Sequence, residues 1–286
     1  MERTEGRVGA LLEMIKFSHT VFALPFALTG MVLAAGGLPG FATVLWILVA
    51  MVGARTAAMA WNRIADAAID GRNPRTADRH LPAGTVRPVE AWALTVGGVA
   101  LLLVAAGALN PLCLKLAPLA LGVLFLYPYT KRFTSWCHYL LGLALAAAPL
   151  GAWVAVTGQW SWRIVPLGLA VLVWVAGFDI FYALQDLAFD RAEGLHSVPQ
   201  RLGVGGSLRL AARLHMLLMA LLVVQIPLFG LGWFYALGVL AVAVLLLYEH
   251  ALVTPYDLSR LDAAFFTMNG VISVVVFAAT LVDVWL

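Results

Sequence analysis

The sequence predicts an all-α membrane protein, built as a bundle of nine transmembrane helices. Hydrophobic residues make up 63% of the 286 residues, and charged residues make up only 12%. That charged share is about half of what soluble domains carry. One bilayer crossing needs roughly 20 apolar residues, and the chain contains nine apolar runs of about this length. A soluble enzyme and a single-span receptor are both excluded.

Each of the nine apolar runs, in chain order, predicts one transmembrane helix. Three connections are tight turns, marked by Gly36–Gly40, Asn110–Pro111 and Gly230–Gly232, whereas the other loops are longer, polar and basic. The short turns are therefore expected on one side of the membrane and the long polar loops on the other. The runs cover residues 15–37, 41–66, 90–109, 112–128, 138–157, 164–187, 207–229, 232–249 and 262–284.

The distribution of Lys and Arg sets the expected orientation. All eighteen except Arg55, Lys115 and Arg163 fall on the side of the N-terminus and the polar loops. Because basic residues are retained on the cytoplasmic side, the N-terminus and these loops should be cytoplasmic and the C-terminus outside. The net charge of +3 is thus a topology signal. No basic patch alternates with aromatic residues, so we expect no nucleic-acid partner.

The sequence assigns no catalytic role to the cysteines or to three of the histidines. Cys113 and Cys137 are placed near opposite membrane faces, too far apart for a disulfide, and both are expected to be buried thiols. His138, His215 and His250 occur singly in apolar runs, so the sequence assigns them nothing.

The second apolar run ends in a polar stripe. Asn62, Asp66 and Asp70 follow at intervals of four residues. Four residues turn a helix by about 400°, so the three side chains share one face about 6 Å apart. The sixth run ends in a second stripe formed by Asp179, Asp186 and Asp190.

Asp179 is the deepest of these acids, with Tyr182 one turn away on the same side. We expect the two to orient an acceptor or to take its proton. A structural alternative is that Asp179 pairs with a basic neighbour such as Arg55.

Carboxylates in this arrangement require a cation. Both stripes lie at helix C-termini, where the macrodipole is negative, and like charges four residues apart repel. Clustered oxygen ligands without His or Cys select Mg²⁺, which commonly completes its shell with substrate phosphates. We expect two Mg²⁺ ions and a diphosphate, with the metal ligands Asn62, Asp66, Asp70, Asp186 and Asp190.

Basic loops follow both stripes. One contains Arg75, Thr76 and Arg79, and the other contains His196, Ser197 and Arg201. A third basic loop joins the fourth and fifth runs. Guanidinium groups suit phosphate oxygens, although Lys131 and Arg132 could instead serve only as topology determinants. The candidate diphosphate ligands are Arg72, Arg75, Arg79, Lys131, Arg132 and Arg201.

The acidic stripes also suggest an internal duplication. Asp66 and Asp70 precede Asp186 and Asp190 by the same 120 residues. This spacing predicts a four-helix pseudo-repeat with halves at about 15–130 and 136–250, followed by a ninth helix at 262–284. The whole chain, 1–286, would form one domain whose halves face each other across a cavity.

At these residues the chain resembles the UbiA superfamily of intramembrane prenyltransferases. Asn62, Asp66 and Asp70 match its signature Asn-x-x-x-Asp-x-x-x-Asp. The second signature, Asp-x-x-Tyr-x-x-Gln-Asp-x-x-x-Asp, matches Asp179, Tyr182, Gln185, Asp186 and Asp190. The Arg-Thr-x-x-Arg and Tyr-x-x-x-Lys-Arg loops match as well. One departure is Arg63, where many members have Asp after the Asn.

The resemblance implies a nine-helix bundle around a central cavity that joins a polyprenyl diphosphate to an aromatic or other lipophilic acceptor with Mg²⁺. The segments Asn-Pro-Arg-Thr-Ala and Gly-Leu-His-Ser-Val-Pro are similar to prokaryotic 4-hydroxybenzoate polyprenyltransferase-like enzymes, some of which serve menaquinone synthesis. This implies the inner membrane, lipid contact, quinone biosynthesis and no obligate protein partner. On helix six, Phe181, Tyr182 and Trp174 would line a dry cavity for an allylic cation.

Two alternatives stay open. The acceptor could be haem, homogentisate, a chlorophyll precursor or a lipid phosphate instead of 4-hydroxybenzoate or a dihydroxynaphthoate. A cation-coupled secondary transporter also contains intramembrane acids and repeats. Transporters usually place such acids near the bilayer midplane, whereas these acids lie at one face beside arginine loops.

Overall fold

Every long secondary-structure element in the described part of the chain is a helix. The computed structural model describes residues 6–16, 22–261 and 267–286. Residues 17–21, in the first predicted run, and 262–266, where the ninth begins, lie outside the described residues. The helices are α1 Arg7–Met14, α2 Leu24–Ala35, α3 Phe41–Asp70, α4 Pro88–Leu109, α5 Pro111–Thr130, α6 Cys137–Thr157, α7 Val165–Ala183, α8 Leu187–Ala192, α9 Val198–Phe229, α10 Trp233–Leu252 and α11 Asn269–Trp285.

Seven of the described helical segments are long and apolar enough to cross a membrane, which makes this an integral membrane protein. Two shorter apolar helices, Leu24–Ala35 and Asn269–Trp285, lie where the first and ninth runs were predicted. The spanning segments are Phe41–Asp70, Pro88–Leu109, Pro111–Thr130, Cys137–Thr157, Trp162–Ala192, Val198–Phe229 and Trp233–Leu252.

Two helices begin at other residues than the apolar runs predict. Helix α2 begins only at Leu24, because Pro25 in its first turn favours a helix start. Helix α9 begins at Val198 with a short segment before the predicted apolar run, and a kink at Gly203 (φ 67°) separates this segment from the apolar part. Ser197 accepts a hydrogen bond from the backbone N–H of Gln200 and thereby caps that helix.

Contacts divide the chain into two compact units. Unit 1 comprises Met1–Thr20 and Val44–Tyr129, and unit 2 comprises Val21–Thr43 and Thr130–Leu286. In unit 1, the C-terminal end of α1 packs on α3 and α4 through Met14, Ile15, Ala60 and Ala91. A salt bridge between Arg7 and Glu90 fixes the other end of α1. In unit 2, α7 is the central helix and packs against α6 and α9.

Helices α6 and α7 of unit 2 approach each other closely at Gly142. A β-carbon built there would lie 2.3 Å from the carbonyl oxygen of Leu172. Only glycine fits this contact, since real β-carbons do not approach a backbone oxygen so closely. The two helices form an antiparallel hairpin whose turn contains Gly158.

Candidate active site

The first acidic motif lies in unit 1, in the last turns of α3. Asp66 and Asp70 are each only 4% exposed. Asn62 donates from Nδ2 to Asp66 Oδ2 at 3.5 Å, so two members of the predicted stripe are in contact. The helical spacing therefore places these side chains on one face as expected.

Asp70 has a cationic partner from the loop that follows it. Nη1 of Arg79 lies 2.8 Å from both Oδ1 and Oδ2 of Asp70. The Thr76 hydroxyl donates to the backbone carbonyl of Asp70 at 3.0 Å, which holds the loop against the helix end. Arg79 was predicted as a diphosphate ligand, and here it neutralises a buried carboxylate through one of its three nitrogens.

The other arginines of this loop are exposed. Arg72 donates to the carbonyl of Ala68 at 3.1 Å, within the last turn of α3. The backbone N–H of Arg75 donates to Asn73 Oδ1, so a local turn fixes its position. Two exposed guanidinium groups thus lie beside a buried pair of carboxylates in unit 1.

Arg63, the departure from the family signature, has a structural partner. Its buried guanidinium donates from Nε to the carbonyl of Met14, the last residue of α1, at 3.2 Å. Arg55, about two turns earlier on the same helix, donates to the carbonyl of Lys16 at 3.1 Å. A cation at a helix C-terminus is favourable because the carbonyls there are unpaired and negative.

The second acidic motif lies in unit 2, and its helix is interrupted. Helix α7 ends at Ala183, Leu184–Asp186 form a 3₁₀ turn, and α8 begins at Leu187. The helix predicted to carry the stripe through Asp190 is therefore interrupted by one 3₁₀ turn. A 3₁₀ turn rotates the chain by 120° per residue, so three residues add about 60° beyond an α-helix. Asp179 is on α7, Asp186 is the last residue of the 3₁₀ turn, and Asp190 is on α8.

Polar and charged side chains surround the Asp190 carboxylate. The Ser197 hydroxyl lies near its carboxylate, while Lys131 attracts that charge and Asp186 repels it. The backbone N–H of His196 donates to the carbonyl of Lys131 at 2.7 Å. The two basic loops of unit 2 are therefore joined beside Asp190. Arg201 is exposed in the first turn of α9, and Arg132 is exposed as well.

Asp179 has a partner that the sequence did not suggest. His138 Nδ1 lies 2.7 Å from Asp179 Oδ2. The view of His138 as an isolated residue is wrong, because the antiparallel hairpin brings its helix end beside Asp179. The signal in the sequence was that both residues lie about 20 positions from the turn at Gly158. Tyr182 is half-buried one turn further along.

His215 and His250 are also paired, at 2.9 Å between Nδ1 and Nε2. Trp174 and Phe181 are fully buried core residues of unit 2. The Trp174 indole donates to Asn269 Oδ1 at 2.7 Å, so this side chain stabilises the unit. Both cysteines are free thiols, and Cys113 is half-buried where full burial was expected.

The donor set fits Mg²⁺ but not a metal that prefers nitrogen or sulfur. As metal ligands, the side chains of Asn62, Asp66 and Asp70 offer oxygen atoms, as do those of Asp186 and Asp190. Taking the described residues of each unit by itself, no three His, Cys, Asp or Glu side chains form a group that could hold an ion alone. Mg²⁺ suits such a site, because it keeps waters and takes ligands from substrate phosphates.

The fold and these motifs define an α-helical integral membrane protein with two carboxylate motifs and adjacent basic loops. A family model described as "UbiA prenyltransferase family" matches residues 23–271. A 4-hydroxybenzoate octaprenyltransferase of Vibrio campbellii is 30% identical over 99% of this chain and 95% of its own length. A protein of the same description from Pseudomonas putida is 33% identical over 76% of this chain and 73% of its own.

Solved structures agree with that match. The apo structure of a UbiA homolog from Aeropyrum pernix K1 has a TM-score of 0.85 and 35% identity, covering 93% of this chain and 98% of that one. A UbiA homolog from Archaeoglobus fulgidus bound to GPP and Mg²⁺ shares the fold, with a TM-score of 0.72, 19% identity and coverage of 97% and 100%. The chain belongs to the UbiA prenyltransferase family and is a prenyltransferase.

Proposed function

We propose that the protein transfers a polyprenyl group from an allylic polyprenyl diphosphate to an aromatic acceptor in quinone biosynthesis. The acceptor is 4-hydroxybenzoate or a dihydroxynaphthoate. The supporting observation is the pair of acidic motifs, each beside a basic loop, in a chain similar to 4-hydroxybenzoate octaprenyltransferases. Oxygen donors next to guanidinium groups suit a metal-bound diphosphate better than the transported cation of a carrier.

In this proposal the acidic motifs hold the metal and the basic loops hold the substrate's phosphates. Asn62, Asp66 and Asp70 would bind one Mg²⁺ ion, and Asp186 and Asp190 would bind a second. Bound Mg²⁺ supplies charge neutralisation on the diphosphate oxygens. Arg75, Arg79, Lys131 and Arg201 would neutralise the remaining charge, with Arg72 and Arg132 at the periphery.

The reaction begins when the bond between the allylic carbon and the diphosphate oxygen breaks. The electron pair leaves with the diphosphate, and an apolar surrounding protects the allylic cation from water. A ring carbon next to the acceptor's hydroxyl supplies the pair for the new carbon–carbon bond. That carbon then loses either its proton, which Asp179 would take, or its carboxyl group as CO₂. Asp179 and Tyr182 are proposed to orient the acceptor's hydroxyl for this attack.

The proposed location is the inner membrane of a prokaryote, with the motif loops and N-terminus cytoplasmic and the C-terminus outside. The excess of Lys and Arg on one side of the spanning helices supports this orientation. Substrates would then enter from the cytoplasm and from the lipid. We propose no obligate protein partner.

The test is an assay of purified protein in detergent with labelled geranyl diphosphate, Mg²⁺ and single acceptors. The acceptors are 4-hydroxybenzoate, a dihydroxynaphthoate, homogentisate and glycerol phosphate, with benzoate as the control without a hydroxyl group. We expect prenylated product and released pyrophosphate with one of the first two, arrested by EDTA and restored by Mg²⁺. Product only with glycerol phosphate, or turnover unaffected by EDTA, would contradict the proposal.

A further inference from the structure

His138 links the second acidic motif to the start of the following basic segment. It is the second residue of α6 and is 2% exposed. Its Nδ1 lies 2.7 Å from Asp179 Oδ2 on α7. Its Nε2 accepts a hydrogen bond from the backbone N–H of Val198, the first residue of α9, at 3.2 Å. One imidazole ring on α6 therefore contacts two further helices of unit 2, α7 and α9.

The Val198 contact determines the protonation of the ring. A backbone amide can only donate, so Nε2 must contribute a lone pair. The proton of a neutral imidazole is then on Nδ1, which donates it to the Asp179 carboxylate. The tautomer of His138 is thus set by the main chain, and the carboxylate always meets an N–H group.

Further contacts hold the main chain at Val198 in place. The Cys137 thiol lies 3.6 Å from the carbonyl of His196. The N–H of His196 donates to the carbonyl of Lys131 at 2.7 Å, and Ser197 caps α9. These contacts fix the backbone N–H of Val198, which donates to Nε2 of His138. The imidazole ring is thereby held in place, and its Nδ1 in turn holds the Asp179 carboxylate.

The hydrogen bond from His138 Nδ1 occupies Oδ2 of Asp179. The side chain of Asp179 keeps 17% of its exposure, and Oδ1 has no hydrogen-bond partner among the described residues. A carboxylate held at one oxygen presents the other in a defined direction. That is the geometry needed to accept a hydrogen bond from a phenolic hydroxyl.

Resting on the proposed function, we propose that His138 is a positioning residue that orients Asp179 toward the hydroxyl of the aromatic acceptor. His138 does not touch substrate in this scheme. It holds Oδ2, so that Oδ1 receives the acceptor's O–H and the ring is aligned with the allylic carbon. Misalignment by about 1 Å lowers rates by roughly a hundredfold, so loss of this bond should affect turnover more than diphosphate binding.

Two substitutions separate the two hydrogen bonds of His138. In His138→Asn the amide N–H₂ replaces Nδ1 and keeps the donor to Asp179, whereas His138→Gln reaches the Nε2 position and keeps only the acceptor for Val198. We expect kcat with 4-hydroxybenzoate to fall less than about threefold in His138→Asn and at least about tenfold in His138→Gln. In His138→Gln, KM for the acceptor should rise while KM for geranyl diphosphate stays unchanged.

A matched control and a double variant complete the kinetic test. His215→Asn removes a buried histidine of the same unit that lies outside the proposed site. It should leave both KM values unchanged. The double variant His138→Gln/Asp179→Asn should be no slower than Asp179→Asn alone, because His138 acts through Asp179. Equal loss in His138→Asn and His138→Gln, or additive losses in the double variant, would overturn the proposal.

Stability measurements separate a failure here from a failure of the proposed function. If the wild type prenylates no aromatic acceptor, the proposed function fails, and the His138–Asp179 bond is then tested by the apparent Tm values. Non-additive changes in the double variant support the bond, and additive changes reject it. If His138→Gln does not accumulate, His138→Asn decides, since a loss of kcat comparable to that of Asp179→Asn contradicts the positioning role.

Discussion

The guanidinium of Arg63 donates from Nε to the carbonyl of Met14, 3.2 Å away and 49 residues earlier in the chain. Arg63 stands directly after Asn62, inside the first acidic motif. The cation at this position therefore binds the C-terminus of α1 and holds α1 against α3, the helix that carries the motif. On the same helix α3, Arg55 donates to the carbonyl of Lys16.

Replacing Arg63 with Gln should release α1. The shorter side chain leaves the buried carbonyl of Met14 without its donor, at a cost of about 2 kcal/mol. Hydrogen exchange of Arg7–Met14 should become faster, as measured by mass spectrometry in detergent. Lys115→Gln, on exposed surface, is the control and should not change this exchange. Unchanged protection of α1 in Arg63→Gln would show that the contact contributes nothing.

The pair formed by Asp70 and Arg79 should be energetically coupled. Arg79→Met leaves a buried carboxylate without its cation, which should lower the free energy of unfolding by about 2 kcal/mol. Adding Asp70→Asn removes that charge, so the double variant should recover most of the lost apparent Tm. Thermal unfolding in detergent measures both. A double variant less stable than either single variant would contradict the coupling.

Removing a carboxylate from either motif should abolish prenyl transfer. Even residues that only support metal ligands change affinity or activity by about 10- to 100-fold, so Asp66→Ala and Asp186→Ala should each lose more than about tenfold. Membrane insertion should stay normal. Asp257→Asn, in an exposed loop, is the control and should retain full activity. More than about a tenth of wild-type transfer in either Ala variant would argue against metal ligation there.

A methyl group at Gly142 should force α6 away from α7. The added β-carbon would lie 2.3 Å from the Leu172 oxygen, so Gly142→Ala should lower the apparent Tm. Gly151→Ala is a matched control on the same helix, because nothing lies within 4 Å of its β-carbon. That control should raise stability slightly, since Ala favours helix by up to about 1 kcal/mol. Equal effects of the two substitutions would contradict the close approach.

Local spacing predicted the helices and the first acidic stripe. Asn62 and Asp66 are in contact because four residues on a helix return to one face. The apolar runs also predicted most helix positions, since burial in lipid requires about 20 apolar residues. Departures occurred where capping determined the boundary, as Ser197 does for α9. The four-helix repeat stays a prediction.

Partners distant in the chain could not be predicted from spacing. His138 and Asp179 are 41 residues apart, and only the register of the α6–α7 hairpin brings them together. The interruption at Leu184–Asp186 was hidden as well, because its residues are ordinary helix formers. Arg79 could be placed in a basic loop, but not on Asp70, since loop conformation decides that contact.

The 3₁₀ turn between Ala183 and Leu187 has a consequence for how such an enzyme can diversify. Asp179, proposed to meet the acceptor, lies on α7 before the turn, whereas Asp186 and Asp190, proposed to meet the metal, lie in the turn and on α8. Substitutions around Asp179 could then alter which aromatic compound is accepted without disturbing the chemistry that activates the isoprenoid donor. New acceptors would be reached by changing α7 around Asp179, while Cys137 and His138 of α6, which hold the loop after α8, are kept.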